Sequence, residues 1–133
     1  MQHPLLIKWE KQLKKLLDEV DEALEKSYGA NWPLHPARPA QGSTANKAHD
    51  GLFDITANFS LGLGSDRGRG YTIDIHMATL NHITPEEKQA IEEQALKLIA
   101  ERLKTFFPGR ALAVDRDGHL IRLYGDLSLG HVH

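Results

Sequence analysis

Cysteine is absent from the 133 residues. Its absence excludes disulfides, thiolate zinc sites and cysteine nucleophiles, and it fits a reducing compartment. Long apolar runs are missing too. The opening MQHPLLIKWEKQ reaches charged residues too early for a signal peptide, and no segment has the length of a membrane span. The expectation is therefore a cytoplasmic protein with no membrane contact. There is no basic excess: 16 Lys and Arg stand against 18 Asp and Glu, for a net charge of −2. Bulk electrostatics will not draw such a chain to nucleic acid, so an RNA segment or an anionic small molecule must be met by a local patch. Reaction signatures are lacking as well. No Walker GK[ST] occurs, Ser43 and Thr44 have no GxSxG context, and none of the eight histidines shows the i, i+4 spacing of a helical zinc site. No cofactor or metal is called for, and no motif names a reaction.

What remains is a pattern. Hydrophobic residues at 41% and charged residues at 26% describe one globular domain over residues 1–133. Its organising stretch is Leu52–Leu80. Phe53, Ile55, Ala57, Phe59 and Leu61 alternate with Asp54, Thr56, Asn58 and Ser60, and Tyr71, Ile73, Ile75 and Met77 alternate with Thr72, Asp74 and His76. Period-two alternation marks strands buried on one face. The intervening GLGSDRGRG predicts an antiparallel hairpin, with Gly62, Gly64, Gly68 and Gly70 expected to supply positive φ. Any register that keeps Phe59 and Ile73 on one face gathers Asp54, Thr56, Asn58, Asp74 and His76 on the other.

Apolar positions Leu6, Trp9, Leu13, Leu16, Val20 and Ala23 predict a first helix from about Pro4 to Ser27. Its charges oppose the macrodipole. Lys8, Lys11, Lys14 and Lys15 fill the N-terminal half, and Asp18, Glu19, Asp21, Glu22 and Glu25 the other. Such polarity suits a solvated face over a sheet, and it also suits a homodimer in which this helix lies antiparallel to its own copy. Residues 30–51, with Pro33, Pro36 and Pro39, form a linker or flap. Trp32 and Leu34 would anchor it, and His35, Arg38, Asn46, Lys47 and His49 would be carried across the polar sheet face.

Thr84-Pro85-Glu86-Glu87 announces a second helix by its N-cap, its proline at N1 and its capping-box glutamate. Ile91, Ala95, Leu98, Ile99, Leu103 and Phe106 form its buried stripe, with Glu92 and Glu93 expected on the surface. A second hairpin turns at Asp117-Gly118, and Leu127 and Leu129 are expected on an edge before a frayed tail at 131–133. The fold class follows. It is α+β, helix–hairpin–helix–hairpin, with three or four antiparallel strands and two helices on one face.

Two constellations could carry chemistry. On the polar face, His76 with Asp74 and Asp54 matches a general base oriented by a carboxylate, as in a hydrolase or lyase. The plain alternative is a water-facing sheet surface. At the hairpin tip, Arg67 and Arg69 around Gly68 offer guanidinium forks and exposed N–H groups to phosphate or carboxylate. With Arg38 and Asn46 from the linker, this tip leads to the reading of a small module that binds an anionic, phosphate-bearing ligand. Self-association through the first helix is the third reading.

Overall fold

A computed structural model describes residues 4–40, 50–60 and 70–125. In chain order it contains α1 (Pro4–Tyr28), β1 (Phe53–Ser60), β2 (Gly70–Met77), α2 (Pro85–Phe106), β3 (Leu112–Asp117) and β4 (Leu120–Gly125). The strands form one antiparallel sheet in the order β1-β2-β4-β3. The expected α+β architecture is what the chain adopts. Leu127, Leu129, the tail 131–133 and the glycines at 62, 64 and 68 lie outside the described residues.

Both helices cover one face. α1 packs over β1, α2 over β3, and the helices touch each other. Leu16, Leu24, Phe53, Ile73, Ile91, Ile99, Ile121 and Leu123 are the most deeply buried members of the core between the layers. Trp9 and Trp32 act as expected: Trp9 is buried against Phe107 at 4.2 Å between centroids, and Trp32 packs on the core from the linker. Burial of an apolar side chain of this size is worth about 1.5–3 kcal/mol. That far outweighs the cost of the reversed charges on α1, which has no acid in its first turn.

α2 starts as its sequence dictates. Thr84 accepts from the Glu87 N–H at 3.1 Å, and Glu87 accepts from the Thr84 N–H at 2.9 Å. The Thr84 main-chain N–H is the first cause holding the Glu87 carboxyl below its usual range.

Three expectations need correction. Gly70 has no positive φ; it is required because a Cβ there would sit 2.2 Å from the Leu123 carbonyl oxygen. The second hairpin turns on Gly118-His119, with φ of 64° at Gly118 and none positive at His119, the pattern of a II′ turn. Glu92 is buried at 1% exposure. It precedes Ala95 by three residues and Ile99 by seven, which puts it inside the stripe that faces β3. There its Oε1 receives Arg116 at 3.0 Å, and His119 Nδ1 stands 3.6 Å from Oε2.

Gly70→Ala is expected to destabilise the fold by about 2–3 kcal/mol, because β2 and β4 must separate to admit one methyl group. Urea unfolding of the variant beside the parent chain measures it.

Candidate functional site

The β1–β2 register joins Asp54 to His76, Thr56 to Asp74 and Asn58 to Thr72. These pairs form the predicted polar face, which neither α1 nor α2 covers. Thr56, Asn58, Asp74 and His76 are exposed, and Asp54 is half-buried. β4 extends the face with Arg122, opposite Thr72, and Tyr124. Here the charges are already matched: Arg122 lies 3.6 Å from Asp117, and the Tyr124 hydroxyl donates to Asp115 at 3.2 Å. That half of the face is a self-neutralising ladder, with Arg122 itself buried at 8% exposure.

At the Asp54–His76 end the arrangement differs. The described part of the linker passes the end of β2, where the His35 N–H donates to the Ala78 carbonyl at 2.8 Å. Arg38 then reaches the start of β1, its Nε donating to Gly51 O at 3.0 Å and its Nη2 to Asp50 O at 3.1 Å and Phe53 O at 3.3 Å. The guanidinium therefore clamps the linker to the strand. A groove of about 360 Å³ opens among His35, Ala37, Arg38, His76, Met77 and Thr79. His35 Nδ1 accepts the Ala37 N–H at 3.0 Å, so its proton sits on Nε2, the nitrogen left to act as a donor. Across from His76, Asp54 Oδ1 is buried without a hydrogen-bond partner. Such an atom beside an imidazole can orient it or receive a donor from a bound molecule. Asp74 stays in solvent, two residues away. Among the described residues, no group of three His, Asp or Glu side chains converges to hold a metal ion.

The opposite end of the hairpin is roughly 23 Å away, at about 3.3 Å per residue along β1. Ser60 pairs with Gly70 there, and residues 61–69 run between them. Arg67, Arg69 and Gly68, together with Asn46 of the linker, lie outside the described residues. The root of the segment does not. Tyr71 donates its hydroxyl to Glu10 of α1 at 3.2 Å, and its ring lies 6.1 Å from Trp9 and 5.6 Å from Phe59. Arg110 sits over the Trp9 ring at 5.5 Å. Lys11, Lys14 and Lys15 line an open groove of about 430 Å³ with Ile7 and Glu10. Phe59 departs from expectation. It lies on the helix side, yet it is 53% exposed, because it ends an edge strand where α1 covers Tyr71 of β2 instead. The Glu92–Arg116 pair had no signal in the chain, since it is assembled from distant segments, whereas His35 stands near the polar face to which the linker was expected to carry it.

Residues 4–125 match a protein family described as "Uncharacterised protein". The chain belongs to this family. It is also 38% identical over 107 residues to an "Uncharacterized protein" of Borreliella burgdorferi (strain ATCC 35210 / DSM 4680 / CIP 102532 / B31), a match covering 80% of this chain and 84% of that protein. No solved structure matches the chain. No helix among the described residues is long and apolar enough to cross a membrane.

Burial raises the Tyr71 phenol above its ordinary 10.0, and the neighbouring Glu10 carboxylate adds to the rise. A phenol raised on folding loses its proton first in the unfolded chain. Its stabilising contribution is therefore complete below about pH 10 and is lost as the pH climbs through the folded pKa. Tyr71→Phe is expected to cost about 1 kcal/mol near neutrality, for one lost hydrogen bond. The difference from the parent chain should shrink steadily above about pH 10, which urea midpoints across alkaline pH will show.

Proposed function

We propose that the protein is a small binding module that recognises a phosphate-bearing anion at the end of the molecule where residues 61–69 leave the sheet. The observation that supports this most directly is the Tyr71–Glu10 hydrogen bond. It fastens the root of the Gly/Arg-rich segment to the basic half of α1. The basic run Lys8–Lys15 is therefore held near Gly70, the residue that follows Arg67 and Arg69 in the chain, and Arg110 adds to it through Trp9. In a chain of net charge −2 the field at this end is local, and that is the form of attraction an anionic ligand needs. Arginine forks and glycine N–H groups in the segment would give directional contacts, and the lysines would give long-range pull. Arg38 is at the other end of the hairpin and serves the linker.

The probes are inorganic tripolyphosphate and a fluorescent single-stranded RNA, followed by calorimetry and anisotropy. Binding should weaken as salt rises from about 50 to about 200 mM, and Arg67→Ala with Arg69→Ala should lower the salt slope for the RNA by about 1.4. Unaltered affinity in that double variant rejects the site.

Asp54 favours a second reading, a hydrolase or lyase in which His76 acts as general base within the groove beside His35. Its buried, unpartnered Oδ1 on the strand position facing His76 is the reason to retain it. Turnover of activated esters or phosphoesters should then vanish in His76→Ala; turnover that survives the change belongs to something else.

A further inference from the structure

The outer edge of β1 is left open where the other exposed edge of this hairpin is closed. The Ala78 N–H donates to Leu52 O, so position 52 faces inward across the ladder, and with it 54, 56 and 58. Odd positions point outward. Phe53 confirms this, since its N–H donates to Glu25 Oε1 at 3.0 Å and its carbonyl accepts from Arg38. Beyond Phe53, the outward N–H and C=O groups of Ile55, Ala57 and Phe59 have no hydrogen-bond partner among the described residues. β2 is treated differently. Its second half runs past β4, and there Lys88 Nζ donates to Ile75 O. β3, the other outer strand, ends in Asp115, Arg116 and Asp117, charges that discourage pairing. From Ile55 to Ser60, β1 carries no charge and no proline.

We infer that this edge pairs with the same edge of a second copy, forming a two-fold homodimer with a continuous eight-stranded sheet. The register is set by the three residues available. Ala57 lies on the axis opposite its own copy, and Ile55 lies opposite Phe59 of the second copy, so both chains use only groups without a partner among the described residues. A two-fold axis normal to the sheet keeps the helix layers on the same side, and it lays α1 antiparallel to α1 across the junction.

The charge pattern of α1 is what singles out a second copy as the occupant. At 100° per residue, Ile7, Lys11, Lys14, Asp18, Glu22 and Glu25 fall on one stripe. Within it Lys14 already meets Asp18 at 2.5 Å and Glu25 accepts the Phe53 N–H, while Glu10 beside it accepts from Tyr71, so the stripe runs along the β1 side of the helix. Read along the helix it is apolar, twice basic, then three times acidic. An antiparallel copy sets each basic half against the other's acidic half, twice by symmetry. A parallel partner would set like against like. Phe59 and Ile7, 53% and 38% exposed, lie along the same flank and lose water contact in the dimer. The Arg67→Ala/Arg69→Ala test of the proposed anion site leaves the residues of this junction untouched, so the two proposals fail separately.

The test is sedimentation equilibrium of the full chain at about 100 μM, a hundredfold above a micromolar Kd. The expected result is a dimer. Ala57→Pro removes an N–H that points away from β2, so it should leave the monomer folded and abolish the dimer. Lys11→Glu with Lys14→Glu should also give a monomer, and adding Asp18→Lys with Glu22→Lys should restore the dimer. A wild-type monomer at this concentration overturns the inference. So does a dimer that the Lys11→Glu/Lys14→Glu change leaves intact, or one that the fourfold variant fails to restore. If circular dichroism shows Ala57→Pro unfolded, the charge series alone decides.

Discussion

The register of β1 against β2 is the constraint on which the structure depends. Pairing Asp54 with His76 and Phe59 with Tyr71 decides three things at once. It sends the even side chains to solvent and the odd ones to the helices, as the pleat requires. It points the even backbone groups into the ladder and leaves the odd ones at the edge. It also fixes what stands at each end of the hairpin: the linker and the imidazoles at one, the Ser60–Gly70 pair at the other. Slip the register by one residue and Ile73 would meet water while Asp74 entered the core. Asp54 Oδ1 would leave the neighbourhood of His76 in the same movement.

Helix packing reinforces the register from above. Glu25 receives the Phe53 N–H and Glu10 the Tyr71 hydroxyl, so α1 is tied to the sheet near both of its ends by acids on one flank. Between these ties the contact is apolar, through Leu13, Leu16, Leu17, Val20 and Leu24. The hydrogen bonds contribute about 1 kcal/mol each, small beside the burial, yet they select the helix rotation that burial alone would leave loosely defined. On the other side, Arg102 of α2 meets Glu19 at 3.1 Å, a half-exposed pair worth little by itself. Arg116 does more, because its partner Glu92 is buried and a lone charge there would be costly.

Much of this was legible in the chain. Alternation in Leu52–Leu80 revealed both strands and their faces, and the Thr84–Glu87 box revealed the start of α2 to the residue. Arg122 and Tyr124 joined the polar face as the second hairpin implied. Local pattern was less able to show position within the sheet. Phe59 fits the buried period, but its exposure depends on β1 being an edge, which is a property of strand order. Glu92 was misjudged because its type outweighed its place in the stripe; the Arg116 that makes burial tolerable comes from another element. Gly70 was misjudged in its cause, since the neighbour that forbids a side chain is in β4. The candidate site shows the same division. Asp54 and His76 were paired from the strands alone, whereas His35 entered the groove through a proline-rich linker with no periodicity to place it.

The reversed charges of α1 now have a physical consequence. They weaken the helix in isolation, and the buried stripe makes that loss affordable. What the polarity produces is a basic half whose Glu10 is tied to Tyr71 near the start of β2 and an acidic half whose Glu25 meets the start of β1. A uniform mixture of the same residues would stabilise the helix equally or better and create no such ends. The anion site and the dimer that we propose would both draw on this one arrangement. Lys11, Lys14 and Lys15 line one groove and are common to both proposals, so it is the arginines Arg67 and Arg69, called on only for the anion, that separate them.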